Sequence, residues 1–269
     1  MKRVFKIKFI VFVSLVFSFS AFGQSNARIE KELVAAINDA QKYSSYGSNS
    51  DGEKLGKANE IFADKLLKYT KNASTLGYKF GELKKLMYIS TSEDGKFRIY
   101  SWDAETGGTM HNFDRVYQYR GADGKVYSKT DELSEGDAGG FVYDIFTLDA
   151  PGEKVYLVCS NAILSTSDAG QSVNLFKIEN ASLNDKIKLI KTKTGLQNSL
   201  GFEYDFFSVS DRPERPIKLI SYDKAAKSIK IPVVLIDVKF QYGKVTNKFI
   251  VYQFDGKYFA KGVDSNLKR

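Results

Sequence analysis

Apolar positions along the chain fall into two regimes. From Ala27, ARIEKELVAAINDAQKYSS sets Ile29, Leu33, Val34, Ile37 and Ala40 at three- and four-residue spacing, the period of an amphipathic helix. A polar, glycine-containing break, Ser44 to Gly52, follows; the same period then returns in Leu55, Ile61, Phe62, Leu66 and Tyr69. Asp51 stands where an N-cap belongs, because its carboxylate can accept from the unpaired N–H groups of the first turn. Residues 24–82 therefore predict a helical hairpin. From about Leu83 the period shortens to two, in runs rich in Ile, Val, Tyr and Phe separated by Asp-Gly and other glycine turns. LMYISTSEDGKFRIYSWD predicts two strands around SEDGK, and FDRVYQYRGADGKVYSK two more around GADG. The expected class is α+β: an N-terminal helical hairpin followed by an antiparallel, mainly-β meander over 83–269.

The hairpins recur. LMYISTSEDGKFRIYSWD can be set beside VYDIFTLDAPGEKVYLVCSN (Val142 to Asn161) and FEYDFFSVSDRPERPIKLISYD (Phe202 to Asp223), each an aromatic strand, a turn and a strand ending on Asp or Asn. With Trp102, Ser160 and Tyr222 as equivalent points the spacings are 58 and 62 residues. Three modules near 83–130, 141–193 and 200–262 follow, in a propeller-like arrangement. A closed propeller typically needs at least about four blades, so three would form an open array, pack on the helices or complete themselves through another subunit. VYQFDGKYFAK resembles the strand-turn-strand units of secreted propeller and integrin-type repeats, and SEDGKFRIYSWD resembles a WD-type blade. Each resemblance covers about a dozen residues, implies a β-repeat fold and carries no catalytic residue with it.

The first 23 residues change the meaning of the composition. Lys2, Arg3, Lys6 and Lys8 precede an apolar run from Phe9 to Phe22 that ends in Ala21-Phe22-Gly23, the layout of a secretory signal peptide. A membrane span takes roughly 20 apolar residues, so export, with no stable span after cleavage, is the expectation. The formal charge is +8, and those four cations face no acid within the segment; the remaining chain carries +4 with its charges interspersed. No basic block is left to suit a nucleic acid. Cys159 is the single cysteine, in the apolar run KVYLVCSN, which rules out an internal disulfide and reads as a buried strand residue.

Candidate chemistry is sparse. Ser221-Tyr222-Asp223-Lys224 and Lys193-Thr194-Gly195 match penicillin-binding motifs in form, but the serine lies in a predicted strand and follows the Lys-Thr-Gly element instead of preceding it on a helix. One histidine and one cysteine cannot furnish the usual Cys/His zinc set. Asp131, Glu132, Glu135 and Asp137 in TDELSEGDAGG could offer oxygens to calcium, without EF-hand spacing, and read first as a solvated loop. No cofactor is expected.

The segment YSWDAETGGTMHNFDRVYQY (Tyr100 to Tyr119) holds the only Trp and the only His, on either side of Gly107-Gly108. Strand alternation puts Ile99, Ser101 and Asp103 on one face and Tyr100 and Trp102 on the other. Asp103 and His111 can meet across the loop as an acid–base pair, or Asp103 caps the turn and Trp102 fills a seam.

These features predict an exported, periplasmic or secreted, non-enzymatic binding protein of the bacterial envelope that recognises a glycan or protein partner. Tyr100, Trp102 and Tyr119 are its candidate anchors, since rigid aromatics contribute contact area at low entropic cost. The alternatives are a secreted hydrolase using Asp103, Glu105 and His111 around the glycine pair, and a structural envelope protein.

Overall fold

The computed structural model describes residues 25–131, 133 and 136–262 of the 269. The expected signal segment, 1–23, lies outside them. Helix α1 (25–41) buries Ile29, Leu33, Ile37 and Ala40. α2 (Gly52–Thr70) buries Leu55, Ala58, Phe62 and Leu66, and Asp51 caps it by accepting from the Lys54 N–H at 3.1 Å. Ile61 departs from the expected stripe and is exposed. A short α3 (Ala73–Leu76) follows, with Asn72 as its cap.

The β-rich remainder forms three sheets. The first is a simple meander of β1 (Tyr88–Thr91), β2 (Phe97–Asp103), β3 (Phe113–Arg120) and β4 (Val126–Thr130) in that order. Its two Asp-Gly turns place Gly95 and Gly124 at φ +66° and +79°, which glycine adopts without a Cβ penalty. The second runs β11 (Ser199–Asp205), β7 (Asp168–Glu179), β6 (Glu153–Ile163), β5 (Phe141–Ala150), with β8 (Ser182–Asn184) also paired to β7. The third runs β10 (Gly195–Gln197), β9 (Ile190–Thr192), β15 (Phe259–Lys261), β14 (Lys244–Phe254), β13 (Ser228–Leu235), β12 (Ser221–Asp223).

Shared cores show how these layers stack. Ile29, Leu33, Phe62 and Leu66 of the helices pack on Tyr100, Trp102 and Val116 of the first sheet. Phe97, Ile99, Tyr117 and Tyr119, from the opposite face of that sheet, pack on Val142, Ile145, Tyr156, Val158 and Phe176 of the second. The second sheet's other face, including Leu148, Leu157, Cys159, Val173 and Leu175, meets Ile190, Ile229, Ile231, Phe254 and Phe259 of the third. Strands covered on both faces lose their polar positions, and β2 is buried from Phe97 to Trp102. Two buried polar side chains fasten the helical layer: Arg98 donates to the carbonyls of Thr75 and Tyr78 at 2.9 and 2.7 Å, and Gln118 donates to that of Thr70 at 2.7 Å.

The propeller-like expectation is corrected: no sheet closes on itself among the described residues, and the sheets do not follow the expected modules. FEYDFFSVSDRPERPIKLISYD is not a hairpin, because β11 pairs antiparallel with β7 in the second sheet while β12 joins the third. β9, expected in the middle module, lies parallel to β15 in the third sheet. Local turn chemistry fixes a hairpin; the choice of sheet for a lone strand depends on long-range packing. The α+β class and the β-rich meander stand.

Candidate functional site

The corner between β2 and β3 brings together two of the three residues expected there. Asp103, the last residue of β2, holds His111 Nδ1 at 2.5 Å through Oδ2, while its Oδ1 accepts from the Glu105 N–H at 2.7 Å. A third group comes from the break between α1 and α2: the Tyr46 hydroxyl donates to Asp103 at 3.2 Å, and its ring lies over the imidazole at 4.8 Å. Partial burial and the Asp103 charge push the Tyr46 phenol up, so it remains a donor. Glu105 contributes backbone to this arrangement. At φ +56°, its carbonyl accepts from the Ser45 N–H at 3.0 Å and from the Ser45 hydroxyl at 2.6 Å. Gly107 is required by contact, since a Cβ there would sit 1.8 Å from the Met110 carbonyl oxygen; Gly108 has open space.

The three candidate anchors are core residues. Trp102 is 1% exposed and meets Phe62 edge to face at 5.1 Å. Tyr100 is fully buried, donates to Gln118 Oε1 at 2.8 Å, and has its phenol pushed up to about 12 by desolvation. Tyr119 is buried between the first two sheets and donates to the Ala181 carbonyl at 3.1 Å. An anchor must reach its partner, and these rings are already used in packing.

His111 borders a cavity of about 620 Å³ at the end of the second sheet's other face, the one turned away from the first sheet, walled by Tyr88, Phe141, Ile163, Tyr204 and Ile217. Tyr88 and Phe141 stack there at 3.9 Å. Asn161 Oδ1 accepts from Gln171 at 3.1 Å and from the Tyr204 hydroxyl at 3.1 Å, whereas Asp168 on the same lining keeps a buried Oδ1 without a hydrogen-bond partner among the described residues, and burial raises its carboxyl. Gln171 in turn accepts from Tyr143 at 2.8 Å and from the Leu219 N–H at 3.0 Å.

A larger concavity, about 780 Å³, opens where the first two sheets splay apart. Its floor is one face of β6, β7 and β11. Toward the covered end that face carries Tyr156, Val158 and Phe176. Farther along the same strands the same alternation presents Ser160 and Ala162, Gly170, Ser172 and Asn174, and Gly201. Ser172 Oγ lies 3.0 Å from Ser160 Oγ and accepts from Asn174 Nδ2 at 3.0 Å. Arg115 forms a wall, donating to the Gly140 carbonyl at 2.6 Å and pairing with Asp131 at 3.4 Å. Sequence reasoning missed this groove; the available signal was the polar half of the period-two pattern in GQSVN, which any solvent-facing strand also shows.

In the expected calcium loop, Asp131 is engaged with Arg115 and Asp137 accepts from the Gly139 N–H at 2.8 Å, while Glu132 and Glu135 lie outside the described residues. No group of three or more His, Cys, Asp or Glu side chains is placed to hold a metal among the described residues. Cys159 is buried, and burial raises its thiol well above the ordinary range, disfavouring the nucleophilic thiolate. No protein-family model matches the chain, and no curated protein or solved structure matches it either.

Proposed function

We propose that this is an exported, non-enzymatic binding protein of the bacterial envelope whose groove across β6, β7 and β11 takes a hydroxyl-rich ligand, an envelope glycan. One observation carries the reading: a single sheet face changes from large apolar residues to serine, asparagine and glycine where the neighbouring sheet no longer covers it. Hydroxyl and amide groups on the floor can donate and accept in alternation, as sugar hydroxyls require. The leader-like residues 1–23 support the periplasmic or secreted location, and no helix among the described residues is long and apolar enough to cross a membrane.

The test is a glycan array carrying peptidoglycan and lipopolysaccharide fragments, probed with the wild type and with Ser172→Tyr, which would fill the groove from a half-buried strand position. Retention by the wild type and loss in the variant is expected. A wild type that retains no glycan, or a variant that binds as well, ends this reading; selective retention of extended peptides would reassign the groove to the protein-partner alternative.

The hydrolase alternative keeps one specific support, the 2.5 Å Asp103–His111 contact beside an apolar cavity. It predicts turnover of some ester or glycoside in a chromogenic panel and its abolition by His111→Ala. Turnover that survives that substitution removes His111 from any catalytic role.

A further inference from the structure

The hairpin connecting β13 and β14 ends in LIDVKFQYGK, and its tip is apolar outward. Ile236 and Val238 are fully exposed, at 103% and 108%, and Leu235 is half exposed at 51%. The tip is held in shape from within. Asp237 Oδ1 accepts from the Lys239 N–H at 2.9 Å, and the Gly243 N–H reaches the Phe240 carbonyl at 2.9 Å. Gly243 adopts φ +99°, where a Cβ would meet Val234 Cγ1 at 2.5 Å. The turn after β11 is clasped to its base, with the Asp205 N–H on the Gly243 carbonyl at 2.9 Å and the Val245 N–H on Ser208 Oγ at 3.2 Å. That clasp sets the exposed Phe207 close to the same end.

Lysines flank this apolar tip. Lys239, Lys244 and Lys248 are all exposed. The single acid of the tip, Asp237, has Lys244 at 4.0 Å, while Lys239 and Lys248 form no ion pair among the described residues. Lys239 and Lys244 both stand over the Phe240 ring, at 5.4 and 6.0 Å. Aliphatic side chains on a constrained protrusion, with cations set just behind them, match the two layers of a bilayer surface: acyl chains below and anionic headgroups above.

We propose that the β13–β14 tip docks this protein on an anionic lipid surface, with Ile236 and Val238 entering the acyl boundary and Lys239, Lys244 and Lys248 meeting the headgroup phosphates. The contact is peripheral and independent of the glycan groove.

The experiment uses the full exported chain with vesicles of phosphatidylcholine alone or mixed with phosphatidylglycerol. Val238→Cys labelled with a nitrobenzoxadiazole fluorophore reports the tip itself, because Cys159 is buried and resists labelling. Any binding through residues 9–22 leaves a dye at 238 in water. A blue-shifted, brighter signal with the mixed vesicles is expected. In sedimentation, Ile236→Ser with Val238→Ser should weaken partitioning about tenfold or more. Lys239→Glu and Lys248→Glu should each weaken it about fivefold at low salt. Unchanged circular dichroism melts would show that these surface variants fold. An unmoved dye, or a double serine variant that sediments with vesicles like the wild type, overturns the proposal. So does a wild-type dimer, lost in that variant, without any vesicle dependence, which would assign the tip to a second copy.

Discussion

Val158 and Asn174 stand directly opposite each other on β6 and β7 and point to the same side of the second sheet, yet they belong to different environments. Val158 is buried beneath the first sheet with Tyr156, Phe97 and Tyr117. Asn174 is half buried and faces the groove with Ser172. The interface between the two sheets thus has a closed end and an open end, and residue size and polarity change over one cross-strand pair. At the closed end apolar area removed from water holds the sheets together. At the open end the same backbone geometry carries side chains that tolerate water, so the separation of the sheets leaves no large apolar surface exposed.

The strongest way to break the contrast is at its closed end. Phe97 is fully buried against the rings of Tyr156 and Phe176 at 5.3 and 5.6 Å, and Phe97→Ala should cost about 3–5 kcal/mol in urea denaturation. Val158→Asn, which writes the open end's chemistry into the closed end, should cost about 2–4 kcal/mol through lost burial and an unsatisfied amide. Arg115, on the groove wall, ties the first sheet to the chain entering β5. Arg115→Met leaves the Gly140 carbonyl without its guanidinium donor and should cost about 1–3 kcal/mol by the same measurement.

Acid sharpens the comparison at one residue. Asp94, in the first hairpin turn, is partly desolvated, which alone would raise its carboxyl; bonds from Ser92, the Lys96 N–H, Tyr156 and Lys154 outweigh this and lower it. A carboxyl lowered in the folded state contributes stability that is complete above the unfolded value of about 3.9 and is lost as pH falls through the folded one. Stability measured from neutral pH into this range should fall more shallowly in Asp94→Asn than in the wild type. Equal slopes would mean that the turn is not latched to the second sheet in solution.

Much of this architecture was legible in the chain. The helical stripe, the Asp51 cap and the Asp-Gly hairpins are local, and each appears where its spacing put it, Ile61 of the stripe excepted. The alternation in β2 assigned Tyr100 and Trp102 to one face correctly, but a strand cannot say what covers that face; the helices do, and this turns expected anchors into core. The Asp103–His111 contact spans eight residues and was visible as a possibility, whereas Tyr46 reaches it from 57 residues away. The groove was illegible for a related reason. Its floor uses alternate residues of three strands, and the alternation that marks a solvated face does not reveal that Arg115 and Tyr117 of another sheet wall it.

The smallest stability effect is the most discriminating. Asn174→Val places a β-branched residue opposite Val158, on a strand whose neighbours already satisfy the backbone ladder, and removes one amide bond to Ser172. The gain in strand packing and the loss of a half-exposed hydrogen bond nearly offset each other, so the denaturation midpoint should move by no more than about 0.5 kcal/mol. If the open end is only a place where two sheets part, that substitution changes nothing else. If it is built to hold sugar hydroxyls, a donor and an acceptor vanish from its floor, and titration calorimetry with the glycan retained on the array should show affinity lowered about fivefold or more at unchanged stability. Unchanged affinity would leave the polar floor without a role in recognition and would move the search for this protein's ligand to the cavity beside His111.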